Sequence, residues 1–208
     1  TVKYFLDYLV QAFSVVPVNT FVMIGGYFAI DKVFQASRLG KLWKQVAFYS
    51  ILICLLNAVT IGVTRTDVVK AIFPISAKTY WFASVYMGLL VLMPFVSMVA
   101  ARMTRRQYQY LLGALTLFLS VNHMIFRVDT YGSFSGRELP WFIYLTLLAG
   151  YVKLHTKEDR RYAWYGFAGY VVSSLAVLAS VYLSVKTHQE DIGYFLNYNS
   201  PLALLGTL

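Results

Sequence analysis

Residues 79–101 read TYWFASVYMGLLVLMPFVSMVAA, and this run contains no Asp, Glu, Lys or Arg. About 20 consecutive apolar residues in a helix are enough to cross the hydrocarbon core of a bilayer. A chain in lipid must satisfy its backbone hydrogen bonds internally, which a helix does within one segment. The run therefore predicts a membrane-spanning helix.

The composition of the whole chain agrees with a membrane protein. Only 13% of the 208 residues are charged and 59% are hydrophobic, with a mean hydropathy of +0.60, whereas soluble domains carry about 25% charged residues. The net charge is +9, which in a soluble protein would indicate a nucleic-acid partner. In a membrane protein it indicates basic cytoplasmic loops, so the lipid bilayer, and no nucleic acid, is the expected partner.

Apolar runs predict six complete spans and the start of a seventh near Ser200. We expect an all-α, polytopic helical bundle that forms a single transmembrane domain over residues 1–208. The shortest run, 139–152, is expected to be tilted, re-entrant or locally extended, with Trp141, Tyr144 and Tyr151 in an interfacial aromatic belt. The predicted spans are Phe13–Ile30, Gln45–Thr64, Thr79–Ala101, Tyr110–Phe126, Leu139–Val152 and Tyr162–Val185.

Basic residues alternate between the loops and so predict an orientation. Three alternate segments hold 11 of the 18 basic residues but three of the nine acidic ones. Positive charge accumulates in cytoplasmic loops, so these segments are expected to be cytoplasmic and residue 1 to lie on the external side. Their basic residues are Lys32, Arg38, Lys41, Lys44, Arg102, Arg105, Arg106, Lys153, Lys157, Arg160 and Arg161.

Four motifs occur in a fixed order along these spans. They are Pro17-Val-Asn-Thr-Phe-Val-Met-Ile-Gly-Gly-Tyr-Phe28, then Tyr80-Trp-Phe82 with Tyr86 and Pro94, then Phe142-Ile-Tyr144 with Gly150-Tyr151, and finally Asn199-Ser-Pro201. Together they resemble the acyltransferase-3 family of membrane O-acyltransferases. Two positions depart from the family pattern, because Gly25 stands where Ser is usual and Thr20 where an aromatic residue is common.

The resemblance implies an enzyme of the bacterial plasma membrane. It would transfer an acyl group, acetyl above all, from cytoplasmic acyl-CoA to a hydroxyl of a cell-surface or exported polysaccharide or a lipid-linked glycan, without a bound cofactor. The family places its catalytic His, with an Arg about ten residues before it, on a helix that precedes this motif. We therefore expect an internal piece, truncated at both ends, whose principal catalytic residue is unknown.

The resemblance assigns Phe21, Gly25, Gly26, Tyr27 and Trp81 to the motif beside the acyl channel. From residue chemistry alone the two glycines equally indicate close packing of membrane helices. Asn19 and Thr20 lie on the same predicted helix, where polar side chains must find partners, either in a cavity or on a neighbouring helix.

Arg38, Lys41 and Lys44 are the candidate residues for binding the acyl donor. Arg and Lys bind phosphate through charge-assisted hydrogen bonds, and coenzyme A is rich in phosphate. The alternative is that these residues only set the topology and attract anionic lipid.

His123 is a weak candidate for a catalytic group. A histidine near the membrane can act as a general base on a sugar hydroxyl, and Ser120 lies on the same helical face. The alternative is an interfacial histidine that only forms hydrogen bonds. In the loop that follows, Tyr131 and Phe134 are candidates for stacking on a glycan and Asp129 or Arg137 for hydrogen bonding to it.

Other classes of function are less well supported by the sequence. Cys54 is the only cysteine and the three histidines are scattered, so neither a disulfide nor a metal site is predicted. A non-catalytic transporter or flippase for a lipid-linked glycan would share the basic loops, aromatic belts and polar helix residues. That alternative is left open by composition.

Overall fold

A computed structural model describes residues 2–126, 128, 131–132, 134–157, 159, 161–187 and 196–208. Within these ranges the chain is helical and has no strand. The predicted all-α fold is therefore confirmed. Arg160 and Asp129, both named from the sequence, and the side chain of Phe134 lie outside the described part.

The predicted spans are found as helices in the same order, with the unpredicted helix Arg65–Ile72 in addition. Most are longer than hydropathy indicated, but Trp81–Arg102 is one residue shorter than the predicted Thr79–Ala101. They are α1 Val2–Ala29, α2 Ala36–Thr60, α3 Arg65–Ile72, α4 Trp81–Arg102, α5 Arg105–Thr116, a π-helical turn Leu117–Val121, α6 Asn122–Phe126, α7 Leu139–His155, α8 Arg161–Lys186 and α9 Pro201–Thr207.

Five segments of the described chain are long and apolar enough to cross a membrane. They are Val10–Ala29, Ala36–Thr60, Trp81–Arg102, Arg105–Phe126 and Trp164–Ser184. The continuous Arg105–Phe126 segment comprises α5, the π turn and α6. Each of these segments has several exposed large hydrophobic side chains, as expected for helices whose outer solvent is lipid. The protein is a multi-pass membrane protein.

Helix α7 differs from its sequence-based prediction. It extends to His155 and has 17 residues, eight of which are buried. Trp141 is 0% exposed and Tyr144 1%. Assigning these two aromatic residues to an interfacial belt was therefore wrong, because they pack in the core of the helical bundle.

The described chain forms two compact units. The first contains residues 1–31 and 96–208, and the second contains residues 32–95. In the first unit α7 packs against α1, α8 packs against α9, and α1 also contacts α8 and α9. In the second unit α3 packs against α2.

Candidate functional site

The glycine motif of α1 is a point of close approach to α7. Gly26 is buried, and a Cβ atom at this position would lie 3.0 Å from Cα and 3.1 Å from Cγ2 of Thr146. Small residues allow membrane helices to approach in this way. The motif glycine therefore sets the distance between α1 and α7, and Thr146 is completely buried at the contact.

An ion pair follows the motif at the end of α1. Nζ of Lys153 on α7 lies 2.6 Å from Oδ1 of Asp31. The same ammonium group lies 5.2 Å from the centre of the Tyr27 ring, within the range of a cation–π contact. The motif tyrosine thus lies beside a polar link between α1 and α7.

Two clefts flank the motif helix within the first unit. The larger has a volume of about 560 Å³ and the smaller about 210 Å³. Their walls are largely apolar, and the hydroxyl-bearing residues Thr20 and Thr207 contribute to both. Phe21 lines the larger cleft and Tyr27 the smaller, so two of the motif residues named from the sequence face accessible space.

Asn19 connects three parts of the first unit. Its Oδ1 accepts a hydrogen bond of 3.0 Å from Nε1 of Trp141 on α7. Its Nδ2 donates a hydrogen bond of 2.7 Å to the carbonyl oxygen of Tyr198, which precedes α9. Asn19 is 0% exposed. The sequence left open whether its side chain lines a cavity or bonds to a neighbouring segment, and the structure shows bonds to neighbouring segments.

The segment that precedes α9 also forms hydrogen bonds to the π-helical turn. Oγ of Ser120 donates to the carbonyl oxygen of Asn199 over 2.7 Å, and Nδ2 of Asn199 donates to the carbonyl oxygen of Leu119 over 3.0 Å. A π turn displaces carbonyl groups from the α-helical hydrogen-bond ladder. Asn199 is thus bonded to two successive residues of the turn, as a backbone acceptor for Ser120 and as a side-chain donor to Leu119.

His123 lies next to this segment and is 8% exposed. Its Nε2 lies 3.5 Å from Nδ2 of Asn197, a distance at the outer limit of a hydrogen bond. The only hydroxyl proton of Ser120 is used by the carbonyl of Asn199. Asn197 is therefore one side chain that His123 faces, and the Ser120 hydroxyl proton is directed to the Asn199 carbonyl.

The candidate donor-binding residues lie on a helix and not in a loop. Arg38, Lys41 and Lys44 are all exposed in the first turns of α2. Their spacing of three places them along one side of the helix. The first turn of α2 contains no acidic residue, and the side chain of its N-cap residue Gln35 forms no capping hydrogen bond.

The second unit carries the motif tryptophan. The rings of Trp81 and Phe82 meet edge to face, with centres 5.7 Å apart, and Phe82 stacks with Tyr86 at 5.8 Å. The three residues form an aromatic cluster in the first turns of α4.

Comparison with known proteins identifies the family. The model of the acyltransferase domain called acyltransferase-3 matches residues 2–208. The chain belongs to the acyltransferase-3 family. No curated protein and no solved structure matches it.

Membership in the acyltransferase-3 family confirms the resemblance read from the four motifs and implies acyltransferase activity. It favours an enzyme over the transporter or flippase that composition left open. The roles of Phe21, Gly25, Gly26, Tyr27 and Trp81 in a channel, of Arg38, Lys41 and Lys44 in donor binding, and of His123 in catalysis stay predictions.

Four contacts in this protein were not foreseen from the sequence. Two are between Asn19 and Trp141 and between Ser120 and Asn199. The other two join Arg105 and Gln109 to the hydroxyl of Tyr151, at 3.3 and 2.8 Å. Each joins residues distant in sequence. The available signal was the presence of polar side chains on apolar helices, which predicts that a partner exists but does not say which one.

Proposed function

We propose that this protein transfers an acyl group, with acetyl as the first candidate, from a cytoplasmic acyl-CoA to a hydroxyl of a surface or exported polysaccharide in the bacterial plasma membrane. The match of an acyltransferase family over residues 2–208 carries the proposal. The acceptor oxygen attacks the thioester carbonyl, a C–O bond forms, and the C–S bond breaks. Coenzyme A leaves as its thiol with the proton of the acceptor hydroxyl.

The beginning of α2 supports the donor side of this proposal. The N-terminus of a helix carries a partial positive charge and favours anions, yet the first two turns of α2 carry the cations Arg38 and Lys41, and the first turn has no acidic residue. The unfavourable interaction of these cations with the helix dipole would be offset by a bound anion. The phosphates of coenzyme A are anions of the required charge, and Lys44 continues the row.

The clefts beside α1 support the passage of the acyl chain. Their apolar walls suit the acyl end of the donor, and the hydroxyls of Thr20 and Thr207 are among their few polar groups. The Asp31 end of α1 would face the donor, and the end near Asn197 would face the acceptor. A bundle with such clefts brings a charged donor and an acceptor from opposite sides of the membrane to one reaction centre.

The first experiment compares polysaccharide from cells that express the protein with polysaccharide from cells that lack it. Base-labile O-acyl esters, measured by proton NMR before and after mild alkali, are expected only in the expressing cells. Equal ester content in the two samples, with the protein present in the membrane, would contradict the proposed function. The same spectra identify the acyl chain.

A further inference from the structure

Helix α3, Arg65–Ile72, joins two spans and has two chemically different faces. Val68, Val69 and Ile72 lie on one side, at positions i, i+1 and i+4. The opposite side is polar and carries Thr66, Asp67 and Lys70, which have the same i, i+1, i+4 spacing. This is the pattern of an amphipathic helix.

The apolar face of α3 is not covered by the described part of the chain. Val69 is 58% exposed and Phe73, one helical turn further on, 55%. Val68 and Ile72 are exposed as well, whereas Ala71 is buried where α3 packs on α2. The helix thus uses one small residue to contact the protein and presents its larger apolar side chains outward.

Hydrogen bonds stabilise the start of α3 and join the segment that follows it to α4. Thr64 and Asp67 form a capping box, in which Oγ1 and the backbone N–H of Thr64 donate to Oδ2 of Asp67 at 2.6 and 2.9 Å. These bonds hold the pKa of Asp67 below its usual value, so the cap stays charged. Beyond the helix, Oγ of Ser84 on α4 donates to the carbonyl oxygen of Ile75 over 2.9 Å.

We propose that α3 lies in the plane of the membrane surface, with Val68, Val69, Ile72 and Phe73 inserted at the boundary between phospholipid head groups and acyl chains. Its apolar face continues the exposed apolar surface at the end of α2, where Val59 and Ile61 are 87% and 80% exposed. Interfacial helices bury their apolar face about 5–10 Å into this boundary.

The charges of α3 also suit a position at the surface of a phospholipid membrane. Arg65 and Lys70 are exposed, and long basic side chains near a bilayer reach toward lipid phosphates while their stems remain on apolar surface. The carboxylate of Asp67 is charged too, but it accepts two hydrogen bonds from Thr64 within the cap. The helix therefore offers apolar groups to the acyl region and two cations to the phosphates.

The test places an environment-sensitive fluorophore on each face of α3 in the intact protein, reconstituted in phospholipid nanodiscs, with Cys54 replaced by serine. Val69→Cys carries the label on the apolar face, and Thr66→Cys is the matched control on the polar face. Spin-labelled phospholipids quench a fluorophore at the membrane boundary, and iodide quenches one in water.

Lipid quenching is expected to be at least about twofold stronger at position 69 than at position 66, with the reverse order for iodide. Equal quenching at the two positions overturns the proposal. So does protection of position 69 from both quenchers, because another protein segment or a second copy of the chain would then cover the face. Phe73→Cys and Lys70→Cys form a second pair for the case in which one variant does not fold.

Discussion

Nε1 of Trp141 donates a hydrogen bond of 3.0 Å to Oδ1 of Asn19, and both side chains are completely buried. Because Asn19 also donates to the carbonyl of Tyr198, one amide group connects α1, α7 and the segment that precedes α9. Polar groups away from water require such partners. This connection holds the motif helix against its neighbours.

Replacing Asn19 by leucine is expected to lower the free energy of unfolding by about 2–6 kcal/mol, because the indole N–H of Trp141 and the carbonyl of Tyr198 lose their partner at about 1–3 kcal/mol each. The measurement is unfolding in detergent followed by circular dichroism. Ser14→Ala is the control, since Ser14 is exposed and bonds only to Val10 of its own helix. Its effect is expected within about 0.5 kcal/mol, and equal effects of the two changes would contradict this account of Asn19.

Replacing Gly26 by alanine is expected to destabilise the protein by about 1–3 kcal/mol, because the new methyl group would press on the Thr146 backbone. Gly113→Ala is the matched control within a helix, as no atom lies within 4 Å of its added Cβ, and it is expected to stabilise by about 0.4–1 kcal/mol. The measurement is the difference in unfolding temperature. A Gly26→Ala variant as stable as the Gly113→Ala variant would show that α1 and α7 are not in close contact.

Replacing Arg38, Lys41 and Lys44 together by glutamine is expected to raise KM for acyl-CoA by about tenfold or more, the equivalent of 1.4 kcal/mol. The physical reason is the loss of charge-assisted hydrogen bonds to phosphate. Initial rates at varied donor concentration measure the effect.

The control for this charge effect is the triple replacement of Arg106, Lys157 and Arg161 by glutamine, which removes the same charge from exposed residues of the other predicted cytoplasmic segments. Its KM is expected to stay within about threefold of the unmodified value. An equal change in KM for acyl-CoA in the two triple variants would indicate that Arg38, Lys41 and Lys44 act only as topology signals. Accessibility of loop cysteines to a membrane-impermeant reagent verifies that neither variant inverts in the membrane.

Replacing His123 by glutamine distinguishes hydrogen bonding from catalysis. Its imidazole faces Asn197, and we expect glutamine to preserve that contact, so that kcat changes by less than about tenfold. A general base contributes about 10²–10⁴-fold to the rate. A fall in kcat of that size, with the unfolding temperature and the donor KM unchanged, would instead identify His123 as the base.

The sequence was sufficient to predict the membrane class and the approximate positions of the spans, because apolar runs report directly on transfer to lipid. It was less informative about helix ends. Helix α2 begins at Ala36, nine residues before the predicted span, because its first turns are polar and hydropathy detects only the part that suits lipid. Helix α3 was missed although Thr64 and Asp67 have the spacing of a capping box.

The side-chain contacts of the site could not be predicted from the sequence, for a different reason. Asn19 and Trp141 are 122 residues apart in the chain, and the periodicity of one helix contains no information about which neighbour it meets. Trp141 was placed at the membrane interface because tryptophan is common there. In this chain its indole N–H donates a hydrogen bond to Asn19 in the core, so it does not need a water molecule at the interface as acceptor.

Acyl transfer from acyl-CoA is tested most directly with purified protein reconstituted in lipid, acetyl-CoA labelled in its acetyl group, and de-esterified polysaccharide as acceptor. We expect label in the polysaccharide that mild alkali releases as acetate, with one coenzyme A thiol formed for each ester. Hydrolysis of acetyl-CoA without labelled ester, or no turnover by folded protein with its native polysaccharide, would contradict it.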